Sequence, residues 1–267
     1  MDEDKPSKVI AHIREKSLAY FQINALTRNG REELMEIISR VYMEFDLKME
    51  FLFNVYSAIV EVIFNGIKAN AKYLIFQEEI KRRIENASFS TDNNADDLLR
   101  IIFKNDALRE FINRFIVPDK IKKQTINILK LDEYNRTGKE ISEKDRSTLQ
   151  EFKQKISKSE VNMFFTIALG DNNIVFAVTN ESPVMKRDME RIVKSRNIHH
   201  NLFKEGRSGE YFTPEYLDTT ESAGLGIAMA DEVYFELGID PLEYFSIKTD
   251  GNQTRAVLKF PLSLLKN

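Results

Sequence analysis

Positions 54, 57, 61, 65, 68 and 72 carry Asn54, Ser57, Glu61, Asn65, Lys68 and Lys72, separated by three and four residues. That spacing lines a carboxylate, an amide and an ammonium along one face of a helix. The positions between them (Val55, Ala58, Ile59, Val62, Ile63, Phe64 and Ile67) are apolar, so the polar stripe is narrow. An amide oxygen is a hard ligand suited to Mg²⁺, which keeps most of its waters and takes few protein oxygens, and Asn65 is the candidate metal ligand. Glu61, one turn earlier, can orient or deprotonate a water or hydroxyl. Lys68, one turn later, can meet phosphate charge. A solvated stripe on an ordinary amphipathic helix has the same pattern, so the stripe acquires meaning only from what accompanies it.

Ser222-Ala223-Gly224-Leu225-Gly226-Ile227 precedes a helical pattern expected over Gly226–Leu237. Glycines at a helix start let backbone N–H groups approach phosphate oxygens, where the helix dipole favours negative charge. Asn180, in Val178-Thr179-Asn180-Glu181-Ser182-Pro183, stands where a strand gives way to loop. Its amide can accept from one group and donate to another, matching the amino group and adjacent ring nitrogen of adenine. Residues 184–221 read as loop-rich, with a helix near Met185–Lys194. The run Phe203-Lys204-Glu205-Gly206-Arg207-Ser208-Gly209 within them suits a mobile lid.

Those residues need a scaffold. Two-fifths of the 267 residues are apolar, including 19 Phe, enough for a sizeable core. Charges nearly cancel at −3, which argues against a nucleic-acid binder. The absence of cysteine removes disulfides, thiolate zinc sites and thiol nucleophiles, and only His12, His199 and His200 supply imidazole. No run reaches the ~20 uninterrupted apolar residues of a membrane span, and the acidic N-terminus is unlike a signal peptide, so the expectation is a soluble cytoplasmic protein. Residues 1–17 read as a polar leader. A strand over Ala19–Leu26 ends in a turn at Thr27-Arg28-Asn29-Gly30, and helices follow over Arg31–Phe45 and Lys48–Phe76. Hairpins are expected around Gly170–Asn173 and Asp250–Asn252. Residues 81–159 form a helical insertion, with helical spacing over Leu98–Phe115, Ile121–Leu131 and Ser142–Ile156. The order predicts an α+β two-layer α/β sandwich with a helical insertion.

In this order the segments resemble the ATP-binding domain of the histidine-kinase-like ATPase superfamily, whose fold is the Bergerat type. Glu61-Val62-Ile63-Phe64-Asn65-Gly66-Ile67-Lys68 matches its asparagine box, and Gly224-Leu225-Gly226-Ile227 its second glycine box. Val178–Pro183 falls at its first glycine box, with Asn180 in place of aspartate and Ser182 and Val184 in place of glycines. Leu202–Ser208 looks like the phenylalanine region of the kinase lid. The resemblance covers about residues 18–80 and 160–263. It implies ATP and Mg²⁺ as cofactors, with Asn65 on the metal and Glu61 catalytic. Lys68, Gly224, Leu225 and Gly226 would lie at the phosphates, Asn180 and Ser182 at adenine, and Phe203 in the lid. His12 stands too close to Glu61 for an upstream phosphoacceptor hairpin. The entry resembles that of anti-sigma-factor serine kinases instead, which implies a phosphoacceptor protein in trans. A regulatory kinase or ATPase in signal transduction, a nucleotide-sensing binding module that engages a protein through its insertion, and an ATP-gated dimer clamp all remain open. The insertion has three roles open to it: covering the sandwich, meeting a protein partner, or pairing two copies as a homodimer.

Overall fold

The computed structural model describes residues 5–23, 26–86, 95–105, 138–158, 161–216 and 223–266, with short pieces between 107 and 135. Among them, α1 (Lys5–Lys16), β1 (Leu18–Gln22), α2 (Arg28–Glu44), α3 (Leu52–Asn86), α4 (Ala95–Lys104), α5 (Glu143–Lys158), β2 (Met163–Leu169), β3 (Asn173–Asn180), α6 (Lys186–Lys204), α7 (Ala223–Glu236), β4 (Phe245–Asp250) and β5 (Gln253–Pro261) follow in order. The chain is α+β, as the sequence predicts. The five described strands form one antiparallel sheet in the order β1-β2-β3-β5-β4.

Alternate residues of a strand share a face, so the register writes the core as rows across the sheet. Ala19, Ile167, Phe176, Leu258 and Phe245 form one row, and Phe21, Phe165, Val178, Ala256 and Ile247 the next. The helices cover this face. α1 contributes Val9, Ile10 and Ile13, α2 contributes Ile37, Ile38, Val41 and Tyr42, and α3 contributes Val55, Ala58, Ile59, Val62 and Ile63. From α7, Tyr234 stacks on Phe260 at 4.8 Å between centroids. The following row, Met163, Asn180, Thr254 and Thr249, turns polar. The opposite face carries exposed Leu18 and Tyr20 with Arg255, Lys248 and Lys259.

Several expectations shift, each for a local reason. Within the expected polar leader, Lys5–Lys16 form α1, and Val9, Ile10 and Ile13 give it an apolar face that the core buries. Thr27-Arg28-Asn29-Gly30 opens α2 rather than ending a strand; the Thr27 hydroxyl caps it by accepting from the Gly30 N–H at 3.1 Å. α3 runs past the expected Phe76 to Asn86, and its C-terminal half receives the insertion. Ala71 and Ile75 pack with Ile128 and Phe152. Tyr73, Phe76 and Ile80 pack with Val161 and Met185, joined by Leu99 and Ile102. The expected insertion helices Leu98–Phe115 and Ile121–Leu131 lie partly outside the described residues. Among the described residues, the helical stretch Met49–Asn86 is long and apolar enough to cross a bilayer, and about a third of its most apolar part is buried inside the fold.

Candidate functional site

The polar stripe of α3 faces α7. The Asn54 amide donates to Glu236 Oε2 at 2.6 Å near the C-terminal end of α7. At the other end, a Cβ added to Gly226 would stand 2.5 Å from Glu61 Oε2, 3.0 Å from Asn65 Nδ2 and 3.5 Å from Asn65 Oδ1. The two helices are therefore antiparallel, and Gly226 is a glycine because Glu61 and Asn65 occupy the space its side chain would take. Ala230 and Val233 continue the buried face of α7 at helical spacing. A solvated stripe would need no such partner.

α7 begins at Ala223, three residues earlier than its pattern predicts, so Gly224, Leu225 and Gly226 lie in its first turn. The N–H groups of Gly224 and Leu225 belong to a turn whose donors lack intrahelical acceptors, and the dipole there favours anionic groups such as Glu61 or a phosphate. Residues 217–222, including Ser222, lie outside the described residues. Because the helices are antiparallel, Lys68, one turn beyond Asn65, falls level with the start of α7 and makes no ion pair among the described residues. Lys72 pairs with Asp188 in the first turn of α6 at 2.8 Å.

Asn180 comes to the same helix from the sheet. It is 3 % exposed, and its Nδ2 donates to the Gly66 carbonyl at 2.9 Å. A Cβ on Gly66 would stand 2.6 Å from Met163 Sδ and 2.8 Å from Asn180 Oδ1, so this second glycine is also demanded by close approach. Two residues further along the chain, the Ser182 hydroxyl donates to Asn70 Oδ1 at 2.6 Å. Thr254 Oγ1 donates to the Ser182 carbonyl at 2.8 Å and accepts from the Val184 N–H at 2.9 Å. Positions 66 and 70 are one helical turn apart, and 180 and 182 flank the bend in which β3 ends, so the two rungs tie the end of β3 to successive turns of α3. Asn65 Nδ2 and Asn180 Oδ1 are buried and have no hydrogen-bond partner among the described residues.

Phe203 is not brought into this group. α6 extends to Lys204 rather than ending near Lys194, because Ile198, His199 and Leu202 bury one of its faces against α7 and the 3₁₀ turn Ser208–Phe212. Phe203 sits in its last turn and stacks on Phe235 at 3.8 Å between centroids. Phe235 is nine residues beyond Gly226, about 14 Å along α7. Residues 205–212 are a turn followed by that 3₁₀ segment, packed through Tyr211, rather than an open lid.

Residues the sequence did not single out hold α6 parallel to α7. Arg196 forks onto Asp231 at 2.7 and 2.9 Å, donates to the Pro241 carbonyl at 3.1 Å and lies 4.5 Å over the Phe245 ring. Burial pushes the Asp231 carboxyl above its ordinary value, and the Arg196 guanidinium opposes that shift. His199, fully buried, meets Glu232 Oε1 at 2.8 Å and the rings of Tyr211, Phe212 and Phe235. Polar residues on otherwise apolar helix faces were the available signal for Asn70, Arg196 and Asp231. Among the described residues no three His, Asp or Glu side chains cluster as a metal site, so a cation here would depend on Asn65.

Comparison of the chain with protein-family models, with curated proteins and with solved structures finds no match.

Proposed function

We infer that this chain binds MgATP in a Bergerat-type domain and acts as a regulatory kinase or ATPase in signal transduction. The observation that carries the reading is the meeting of Glu61, Asn65 and Gly226, residues far apart in sequence whose packing leaves no room for a side chain at position 226. The residues present fit the group. A carboxylate and an amide abut the first turn of α7, where backbone donors and the dipole favour phosphate, and Lys68, one turn away, has no ion-pair partner among the described residues. Asn65 would hold Mg²⁺, which would neutralise phosphate charge when bound. Glu61 would orient a water or an acceptor hydroxyl in trans, while Gly224, Leu225 and Gly226 line the phosphates. Localisation in the cytoplasm and a protein phosphoacceptor belong to the same proposal.

Calorimetric titration with MgATP tests it. Wild-type protein binds and Asn65→Ala does not; equal heats from the two sink the reading. Glu61→Gln retains binding and loses phosphate release or transfer to a partner.

A second reading is favoured by one observation: Asn180 and Ser182 are both hydrogen-bonded to α3, drawing the end of β3 tightly onto the helix. A site held this way suits a nucleotide-sensing module with slow or no turnover, which engages a protein through the insertion. Labelled ATP separates the two, since release of phosphate or label on a second protein excludes the pure sensor.

A further inference from the structure

Asn180 has only half of its amide left for a ligand. The nitrogen is committed to the Gly66 carbonyl at 2.9 Å, which fixes the sense of the amide because a carbonyl accepts only from a donor. The oxygen remains, buried and without a donor among the described residues. An amino group on a heterocycle can satisfy that oxygen, but the ring nitrogen beside the amino group then needs a donor from elsewhere.

Asn70 is the residue in register to supply it. It lies one turn beyond Gly66 on α3, where the Cβ atoms of neighbouring turns are about 6 Å apart. It is 6 % exposed, its oxygen is occupied by the Ser182 hydroxyl, and its amide nitrogen makes no hydrogen bond with any described residue. Ser182 is itself held through its carbonyl by Thr254. Two amides, each fixed by its other half, thus leave an acceptor at Asn180 and a donor at Asn70.

We propose that Asn70 is a specificity-determining residue whose amide nitrogen donates to the unprotonated ring nitrogen next to the amino group accepted by Asn180. The ligand edge so defined is an amino-substituted azine, as in adenine; guanine and hypoxanthine present a carbonyl and an N–H there, the opposite sense at both positions. This deepens the nucleotide reading above and rests on it.

Titration of the full chain with ATP and with 1-deaza-ATP, which has carbon in place of that ring nitrogen, tests the assignment. Wild-type protein prefers ATP by about tenfold, the effect of covering one donor with a ligand that cannot accept from it. Asn70→Ala binds the two equally, while its preference for ATP over GTP, set at Asn180, persists. Ser182→Ala, which keeps the Asn70 amide but frees its orientation, narrows the discrimination to a few-fold. A residue that only held the fold would lower both affinities together and leave their ratio intact. An Asn70→Ala protein that still prefers ATP tenfold overturns the assignment, as does wild-type protein that binds both nucleotides equally. If Asn70→Ala does not fold, an unchanged ratio in Ser182→Ala overturns it. Wild-type protein that binds no ATP at all takes down the nucleotide reading with it, and is told apart by that result alone.

Discussion

Replacing Gly66 by alanine sets two ordinary effects against each other. In the middle of a helix the change normally stabilises by up to about 1 kcal/mol, because glycine loses more backbone freedom on folding. Here the new methyl would meet Met163 Sδ at 2.6 Å and Asn180 Oδ1 and Nδ2 at 2.8 and 3.2 Å. Met163 and Asn180 are 1 % and 3 % exposed, so neither can swing into solvent. Overpacking of this kind costs about 1–3 kcal/mol. Displacing Asn180 also breaks its bond to the Gly66 carbonyl, about 0.5–1.5 kcal/mol more. The clash outweighs propensity, and the net expectation is a loss of about 1–3 kcal/mol. Urea unfolding followed by circular dichroism would show the midpoint falling by roughly 0.5–1 M at unchanged slope. Gly209→Ala is the control: a Cβ there meets nothing within 4 Å, and stability should stay within about 0.5 kcal/mol of wild type. In a double-mutant cycle, Met163→Ala should cost less in the Gly66→Ala background than alone. A Gly66→Ala protein as stable as wild type would refute the close approach of β3 to α3 and the assignment of Asn180's amide sense with it.

Three further outcomes follow from the same contacts. Arg196→Met leaves Asp231 buried without its cation and should destabilise by about 3–5 kcal/mol in denaturant unfolding, with Asp231→Asn in the same chain recovering much of it. Phe203→Ala removes the stack on Phe235 and should lower stability by about 1–2 kcal/mol while leaving the MgATP Kd unchanged; loss of binding would return Phe203 to the site. A hydrogen bond from Arg82 draws the Glu79 carboxyl down to about 2, with burial opposing and Arg83 assisting. Its folded value lies below the ordinary carboxylate range, so its contribution is complete above about pH 4.5 and lost as pH falls toward 2. Arg82→Ala should shift acid unfolding, followed by helicity, to higher pH.

The stripe on α3 was legible because Glu61, Asn65 and Lys68 keep a strict helical spacing among apolar neighbours. The strands were legible because alternation and the turns at Gly170 and Gly251 are local properties; the Gly170 N–H bonds the Asn173 carbonyl at 2.8 Å, as a tight hairpin requires. What the sequence did not reveal depends on partners distant along the chain. The length of α6 is set by aromatic and charged contacts to α7, and the place of Phe203 by Phe235, neither of which leaves a local pattern. Asn180 read as a two-sided amide until the Gly66 carbonyl, supplied by another element, took one side. Asn70 was hidden in the run Lys68-Ala69-Asn70-Ala71-Lys72, where its turn toward the sheet is visible only once α3 and β3 are docked.

The register of β1 has a bearing on how the molecule assembles. β2 with β3 and β4 with β5 are hairpins that close over a few residues. Leu18–Gln22 must instead find Phe164–Ala168 across the whole of α2, α3 and the insertion. Loop-closure entropy grows only logarithmically with length, so each doubling of that span adds about 0.6 kcal/mol, and the insertion is thermodynamically cheap. Its effect is on rate: the hairpins can form early, whereas the edge strand must wait for a distant encounter. Until β1 arrives, the free edge of β2 stands open to any strand that reaches it first, including the β1 of another copy.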